Sequence, residues 1–373
     1  MPPRRLALLL LCTPACGTSG ASDTGTATDP TTGDPGTSAS PTTGTTATTG
    51  PAGSTAEPTT TTPTTGDDDP CNDTPQALAD CVDAAAYTAE LTFIADVRTP
   101  GSPHWLAVQD RCADRLDELG YEVALQNYGT GVNVVGRRVG LTAPAEIVLI
   151  GAHYDHVADC HGADDNASGV AATLEIARVL AQAEFDRTVM IACWDEEELG
   201  LVGSEAFVAA AKANSDDIVI DFNFDMIGVR SDEEGSQKIP AGFDFAFPDA
   251  YAAIQANGSR GDFIAVITSS LAHDHALAYA AAADRVALRN AVLELPAGSE
   301  TSDLFGDLRR SDHASFWDAG YPAVFLSDTG EFRNDHYHCM GGPDEVADLD
   351  LDFAVKVTRA TVEASAVALG LTH

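Results

Sequence analysis

Five short apolar runs recur along the chain after residue 140, and each has the length and composition of a buried β-strand. They occupy residues 147–150, 189–194, 218–224, 263–267 and 323–326. Segments with helical spacing lie between or beside these runs, at residues 106–119, 169–183, 271–283 and 351–369. This alternation predicts an α/β fold with a mostly parallel, mixed central sheet and helices on both faces.

The first residues resemble a bacterial export signal. Arg4 and Arg5 precede an apolar run at residues 6–11, which is too short to span a bilayer. Cys16 follows the small residue Ala15, as in the cleavage site of bacterial lipoproteins. We therefore expect residues 1–16 to be a signal peptide and Cys16 to be acylated, so that the protein is exported and anchored to the cell envelope. Secretion without a lipid is the alternative.

Residues 17–70 have the composition of a flexible tether. They are rich in Thr, Gly, Ser, Pro and Ala and contain no Val, Ile, Leu, Met or aromatic residue, so they cannot form a core. We predict a disordered stalk over 17–70 and a folded catalytic domain over 71–373.

The charge of the chain limits its partners. Asp and Glu number 57 against 20 Lys and Arg, giving a formal net charge of −37. This charge disfavours nucleic acid and anionic lipid surfaces as partners, so a lipid on Cys16 is the only membrane contact that we expect.

Carboxylates and a histidine follow three of the apolar runs. These residues are His153 and Asp155 after the first run, Glu197 and Glu198 after the second, Asp225 after the third, and Asp165 in a further loop that opens a helix. Each has an ordinary structural explanation when taken alone, such as helix capping for Asp165. Because the carboxyl ends of parallel strands gather at one edge of a sheet, one site explains all of them, and carboxylates mixed with imidazole suit zinc.

Seven motifs stand in order along the chain. They are RTPGS at 98–102, GAHYD at 151–155, DDNASG at 164–169, EELGLVGS at 197–204, NFDMIG at 223–228, RSDHA at 310–314 and YH at 337–338. Together they resemble peptidase family M28, whose members are aminopeptidases with two co-catalytic zinc ions. The resemblance covers nearly all of residues 83–373 and implies the zinc-exopeptidase architecture, which is phosphorylase/hydrolase-like.

The resemblance also implies residue roles. His153 and Asp225 would hold one zinc ion, Glu198 and His338 the other, and Asp165 would bridge both. Glu197 would be the general base.

Three further residues have roles implied by the resemblance. Asp155 would orient a metal ligand, Tyr337 would assist the reaction intermediate, and Arg310 would line the substrate site. The chain departs from the family in one place, because the acid expected four residues after His338 is delayed to Asp344. His336 is therefore an alternative to His338 as the last ligand, and His156 and His161 are expected only to line their loop.

Six cysteines fall within residues 71–373 and permit many connectivities. Cys193 lies in an apolar run and is expected to be a buried thiol. A disulfide between Cys160 and Cys339 would tie together two loops that carry metal ligands, and we state it as a hypothesis.

The function implied is hydrolysis of peptides by a two-zinc exopeptidase, with an aminopeptidase as the first expectation. Arg310, with Arg309 beside it, keeps a carboxypeptidase open as an alternative, because that activity needs a clamp for a free carboxylate. A glutaminyl-cyclase-like acyltransferase with a single zinc and an inactive surface-binding lipoprotein also stay open. A serine hydrolase is disfavoured, because the sequence has no Gly-x-Ser-x-Gly motif at the end of a predicted strand.

Overall fold

The computed structural model describes residue 71 and residues 74–371. The signal peptide, Cys16 and the stalk lie outside the described residues. Among the helices that the described residues form, none combines the length and the apolar character needed to cross a membrane.

Eight strands and ten α-helices make up the described fold. The strands are β1 (Glu122–Asn127), β2 (Val132–Arg138), β3 (Ala143–His153), β4 (Arg187–Trp194), β5 (Asp217–Phe224), β6 (Ile264–Thr268), β7 (Asn290–Glu294) and β8 (Ala323–Ser327). The helices are α1 (Pro75–Asp80), α2 (Ala84–Ile94), α3 (Pro103–Glu118), α4 (Gly169–Leu180), α5 (Val202–Asn214), α6 (Phe243–Ala246), α7 (Pro248–Ala256), α8 (His273–Arg285), α9 (His313–Asp318) and α10 (Leu351–Leu369).

The strands form one mixed sheet in the order β1-β2-β4-β3-β5-β8-β6-β7. Its centre is parallel, since β4, β3, β5 and β8 pair in parallel with one another. Antiparallel pairings join β1 to β2, β2 to β4, and β8 to β6. The carboxyl ends of the four central strands therefore meet at one edge, which is where the sequence places the polar residues.

Both faces of the sheet are covered. Alternate side chains of β3, such as Val148 and Ile150, pack into one core with α2, α4, α8 and α10, whereas Leu149 packs into a second core with α5 and α9. Side chains of a strand point alternately to its two faces, so a strand buried on both faces must be apolar throughout. This explains why the central strands appear in the sequence as unbroken apolar runs.

The helix ends follow local rules. Ser102 accepts the backbone N–H of Trp105 at the start of α3, with Pro103 at the first helical position. Asp350 accepts the N–H of Phe353 at the start of α10, and Gly370 ends that helix with φ 71°, a left-handed conformation that glycine adopts at low cost. The helix expected at residues 351–369 is confirmed.

Candidate metal centre

Three neighbouring strand ends carry the polar side chains of the site. His153 is the last residue of β3, and the register places it beside Trp194, the last residue of β4. Asp225 directly follows β5, which pairs with β3 on its other side. The loop after β4 carries Glu197 and Glu198.

Asp165 lies between two histidines. Its Oδ1 is 3.4 Å from Nε2 of His153, and its Oδ2 is 3.3 Å from Nε2 of His338. One carboxylate thus presents a different oxygen to each histidine, which is the arrangement that the prediction of a bridging ligand requires.

Glu197 and Glu198, adjacent in the loop after β4, lie near different histidines on either side of Asp165. Glu197 places Oε2 3.9 Å from Nε2 of His153, and Asp225 places Oδ1 3.6 Å from the same nitrogen. Glu198 instead places Oε2 3.1 Å from Nε2 of His338. The structure therefore brings together all five residues predicted as ligands, with Glu197 beside the cluster of His153 and Asp225.

Asp155 contacts the backbone of Glu197 and Glu198 and the side chain of His153. Its Oδ1 accepts the backbone N–H of Glu197 at 3.0 Å, and its Oδ2 accepts that of Glu198 at 3.3 Å. Its Oδ1 also lies 3.5 Å from Nδ1 of His153. A single buried carboxylate thus orients the loop after β4 and a candidate ligand, as expected of an outer partner in a metal site.

The loop that carries Asp165 is held by residues far away in the chain. Asp344 accepts the backbone N–H groups of Asp164 and Asp165 at 3.0 and 3.1 Å. Arg98, which is fully buried, donates to the backbone carbonyls of Gly162 and Asp165 at 2.7 and 2.9 Å. Asp344, the acid that comes later than the family pattern expects, therefore supports the loop of Asp165. Arg98 supports the same loop, although the sequence identified it only as part of a motif.

Negative charge dominates this buried region. Burial raises the pKa of Glu197 well above its ordinary value; His153 opposes this, while Asp225 and Asp312 add to it. Burial also raises the pKa of Asp225, again opposed by His153. Buried carboxylates that lack enough positive neighbours are stabilised by a cation.

The donor atoms fit metal ions. Nε2 of His153 and Oε1 of Glu198 are buried without a hydrogen-bond partner in the described part of the chain, although buried polar atoms normally have one. The oxygen and nitrogen donors form two groups, one of His153, Glu197 and Asp225 and one of His156, Asp165 and Glu198. Imidazole and carboxylate are the donors that zinc prefers when cysteine is absent.

A cavity of about 340 Å³ opens beside these groups. Tyr337, Arg310 and His338 lie on its wall, and Arg310 donates to the Tyr337 hydroxyl at 2.9 Å. The structure therefore places both of these expected residues at the cavity, next to a candidate ligand.

Three other histidines near the site differ in their partners. His336 lies 3.5 Å from Asp348, and His161 lies 3.0 Å from Glu345, so each has a partner away from the clusters. His156 is fully buried, with Nδ1 2.9 Å from Oε1 of Glu198. His156 was expected only to line its loop, because the family resemblance assigns it no role, and the structure instead places it against Glu198.

The cysteines that the structure describes form two disulfides, Cys71–Cys81 and Cys160–Cys339. The second joins the loop after β3 to the turn that carries His338, as hypothesised from the sequence. Cys193 is a buried free thiol, and so is Cys112.

The model of peptidase family M28 matches residues 133–364 of this chain. Among curated proteins, the uncharacterised protein YfbL of Escherichia coli K12 is 29% identical over 63% of this chain and 76% of its own length. A probable zinc metalloprotease of Pyrenophora tritici-repentis is 28% identical over 69% of this chain and 58% of its own length. The chain thus spans little more than half of the fungal relative.

The fold has relatives among solved structures. The Legionella pneumophila LapA aminopeptidase superposes with a TM-score of 0.61 at 18% identity, over 79% of this chain and 74% of that one. A likeness at this identity supports the mixed α/β sheet architecture that the sequence predicted. With the match over residues 133–364, it confirms the expected family and fold class: this chain belongs to peptidase family M28.

Proposed function

We propose that this protein is a zinc-dependent aminopeptidase that removes single residues from the N-terminus of peptides. The observation that carries the proposal is the charge of the cavity. Candidate ligands and the general base, including Asp165, Glu197 and Asp225, contribute carboxylates to its wall.

The basic side chains on the cavity wall are already paired. Within the described residues, the Lys and Arg side chains that line it are Lys238, Arg309 and Arg310. Their nitrogens lie 2.5 Å from Asp335, 2.8 Å from Asp318 and 2.6 Å from Glu331, respectively. A carboxypeptidase needs a free cation to hold the C-terminal carboxylate of its substrate, and this pairing disfavours that alternative.

A free α-amine fits the same surroundings. Its pKa is about 8, so a large share of peptide N-termini are cationic at neutral pH. Carboxylates beside the metal centre attract such a group, and Glu197 and Asp225 lie at the boundary between the centre and the cavity. The charge of the cavity therefore favours an N-terminus over a C-terminus.

The chain's residues divide the work of peptide hydrolysis. His153, Asp165, Asp225, Glu198 and His338 would hold two zinc ions, which supply Lewis-acid activation of water and of the scissile carbonyl when bound. Glu197 accepts the proton of the attacking water and passes it to the leaving amine. Its Oε2 lies 3.9 Å from Nε2 of His153, beside the residues that would hold the first metal ion.

Tyr337 would assist the reaction intermediate through its hydroxyl group. Its hydroxyl oxygen accepts a hydrogen bond from Arg310, so its own proton remains available to a substrate oxygen. Burial raises its pKa above the ordinary value, with Asp165 adding to the effect, which keeps the phenol protonated at neutral pH. A donor aimed at the developing oxyanion lowers the barrier of acyl transfer.

One part of the cavity wall is apolar. Phe243, Ile254, Phe263, Ile267 and Phe325 form part of its wall, and all five are buried. Desolvation favours a large apolar side chain in such a pocket over a charged one. We therefore expect N-terminal residues such as Leu or Phe to be removed faster than Lys, Asp or Gly.

Blocked peptides test the proposal. One peptide with an N-terminal Leu is offered unmodified, N-acetylated and C-terminally amidated, and the products are identified by mass spectrometry. Acetylation removes the cationic amine and is expected to abolish cleavage, whereas amidation should leave the rate unchanged. Cleavage of the acetylated peptide, with loss of activity on the amide, would reverse the assignment to a carboxypeptidase.

We further propose the domain organisation expected from the sequence. Residues 1–16 form an export signal that ends at an acylated Cys16, residues 17–70 form a stalk, and residues 71–373 form the catalytic domain. The composition of residues 17–70 supports a stalk, because a segment without apolar side chains has nothing to pack against the domain.

Cys16→Ser tests the anchor and the stalk together. In the producing bacterium, the variant is expected to leave the membrane fraction for the soluble fraction, while kcat/KM on soluble peptides stays at the wild-type value. Retention in the membrane fraction would show that the lipid is not the anchor. A large fall in kcat/KM would show that the N-terminal segment contributes to the active site.

A further inference from the structure

His156 occupies a position within the metal centre. It is the third residue after β3 and is fully buried. Its Nδ1 lies 2.9 Å from Oε1 of Glu198 and 3.9 Å from Oδ1 of Asp165. These two carboxylates are the ones that also face His338, so two histidines approach the same pair of acids.

The contact between His156 and Glu198 is a close approach of an imidazole nitrogen to a carboxylate oxygen, at 2.9 Å. Against the effect of burial, His156 and His338 both lower the pKa of Glu198. Nε2 of His156 is also buried and has no hydrogen-bond partner in the described part of the chain. A buried imidazole and carboxylate this close together are donors that one cation can coordinate.

The ring of His156 is fixed in this position. A Cβ atom on Gly162 would lie 2.5 Å from its Cδ2, so only glycine leaves room for the ring there, and Gly162 has φ 57°. On another side the ring meets His338 edge-on, with centroids 5.8 Å apart. The disulfide Cys160–Cys339 holds the two loops that carry these histidines together.

We propose that His156 is a metal ligand, additional to the five that the family resemblance implies. It joins Asp165, Glu198 and His338 at the second metal position, which then has four protein donors. The first position has three, from His153, Asp165 and Asp225. A zinc ion with three protein ligands keeps a place for water or substrate, and zinc can expand to five ligands during a reaction, so a fourth protein donor would not exclude the second ion from catalysis.

The two positions then differ in their neighbours. The first lies beside Glu197, whose Oε2 is 3.9 Å from Nε2 of His153, so the open place and the general base are on the same side of Asp165. The second would fix Asp165 and share with the first the activation of water and carbonyl. This conclusion rests on the proposed function for the presence of two zinc ions but not for the identity of the substrate.

Zinc titration of matched variants tests the role of His156. The full-length protein is freed of metal and titrated with Zn²⁺ against a chromophoric chelator, for the wild type, His156→Gln and His161→Gln. His161 lies in the same loop, with a side chain that is 44% exposed, and serves as the control. We expect His156→Gln to weaken one of the two zinc sites by more than about 100-fold, beyond the roughly 10- to 100-fold that loss of an outer partner costs, and His161→Gln to leave both unchanged.

A crystal structure of the zinc-loaded wild type gives a second measurement that needs no variant. A nitrogen of His156 about 2.0 to 2.1 Å from zinc is the expected result. Wild-type zinc affinities in His156→Gln, or a zinc-loaded structure in which His156 only contacts Glu198, would overturn the inference. So would a wild type that binds a single zinc ion.

The titration separates this inference from the proposed function. A protein that binds two zinc ions through His156 but leaves peptides intact would refute the aminopeptidase and support the ligand role. A protein that cleaves N-termini while His156→Gln keeps both zinc affinities would do the opposite.

Discussion

Glu197→Gln is expected to lower kcat by at least about a hundredfold, the loss typical of a general acid/base group, while the protein keeps both metal ions. Glutamine matches the shape of glutamate but cannot accept a proton from water. Glu197 belongs to the same group of possible metal donors as His153 and Asp225, so the metal content of this variant decides between a base and a ligand.

Asp165→Asn is the matched comparison for Glu197→Gln. It makes the same carboxylate-to-amide change at the residue that faces both His153 and His338. The bound zinc per chain should therefore fall, and kcat should fall because the metal is lost. Elemental analysis after gel filtration, with kcat measured on the same samples, distinguishes the two variants. Loss of zinc from Glu197→Gln would show that Glu197 is a ligand and that its role has been exchanged with that of a neighbour.

Removal of the disulfide Cys160–Cys339 is the second large effect that we expect. The double variant Cys160→Ser/Cys339→Ser should bind zinc about 10- to 100-fold more weakly, as loss of an outer support does in other metal sites, and kcat/KM at limiting zinc should fall with it. His338 and Cys339 have φ values of 52° and 55°, which residues with a side chain rarely adopt. The surrounding structure must hold this turn in place, and the disulfide is its covalent link to the loop after β3.

The disulfide Cys71–Cys81 provides the control. Cys71→Ser/Cys81→Ser removes a bridge next to α1, where the paired residues are 10 apart in sequence rather than 179. It should leave zinc affinity unchanged. Equal zinc affinities for both double variants, measured by chelator competition, would show that the turn holds His338 without the disulfide.

The strands that the sequence predicted are those in the middle of the sheet. β3, β4, β5, β6 and β8 are buried along most or all of their length, so they appear as continuous apolar runs. The residues of β1 are exposed or partly buried, and those of β7 are mostly only partly buried. β2 is interrupted by the polar residue Asn133, whose side chain donates hydrogen bonds to Gln126 and Gly203. Such strands lack the continuous apolar signal, and their pairing is decided by neighbours that are distant in sequence.

The candidate site divides in a similar way. His153, Glu197, Glu198 and Asp225 could be identified from the chain because each follows an apolar strand, and parallel strands bring such positions to one edge. The support that Asp344 gives to the loop of Asp165 could not, because it depends on residues about 180 positions apart meeting in space.

The sequence by itself therefore determined the family, the central sheet and the residues at the strand ends, because these depend on local periodicity and on motif order. Only the tertiary structure decided that Cys160 pairs with Cys339, that Arg310 is neutralised by Glu331, and that His156 faces Glu198. Each of these joins separate loops. The packing of the strands and helices that two loops connect determines whether the loops meet. The sequence of either loop alone therefore does not predict such a contact.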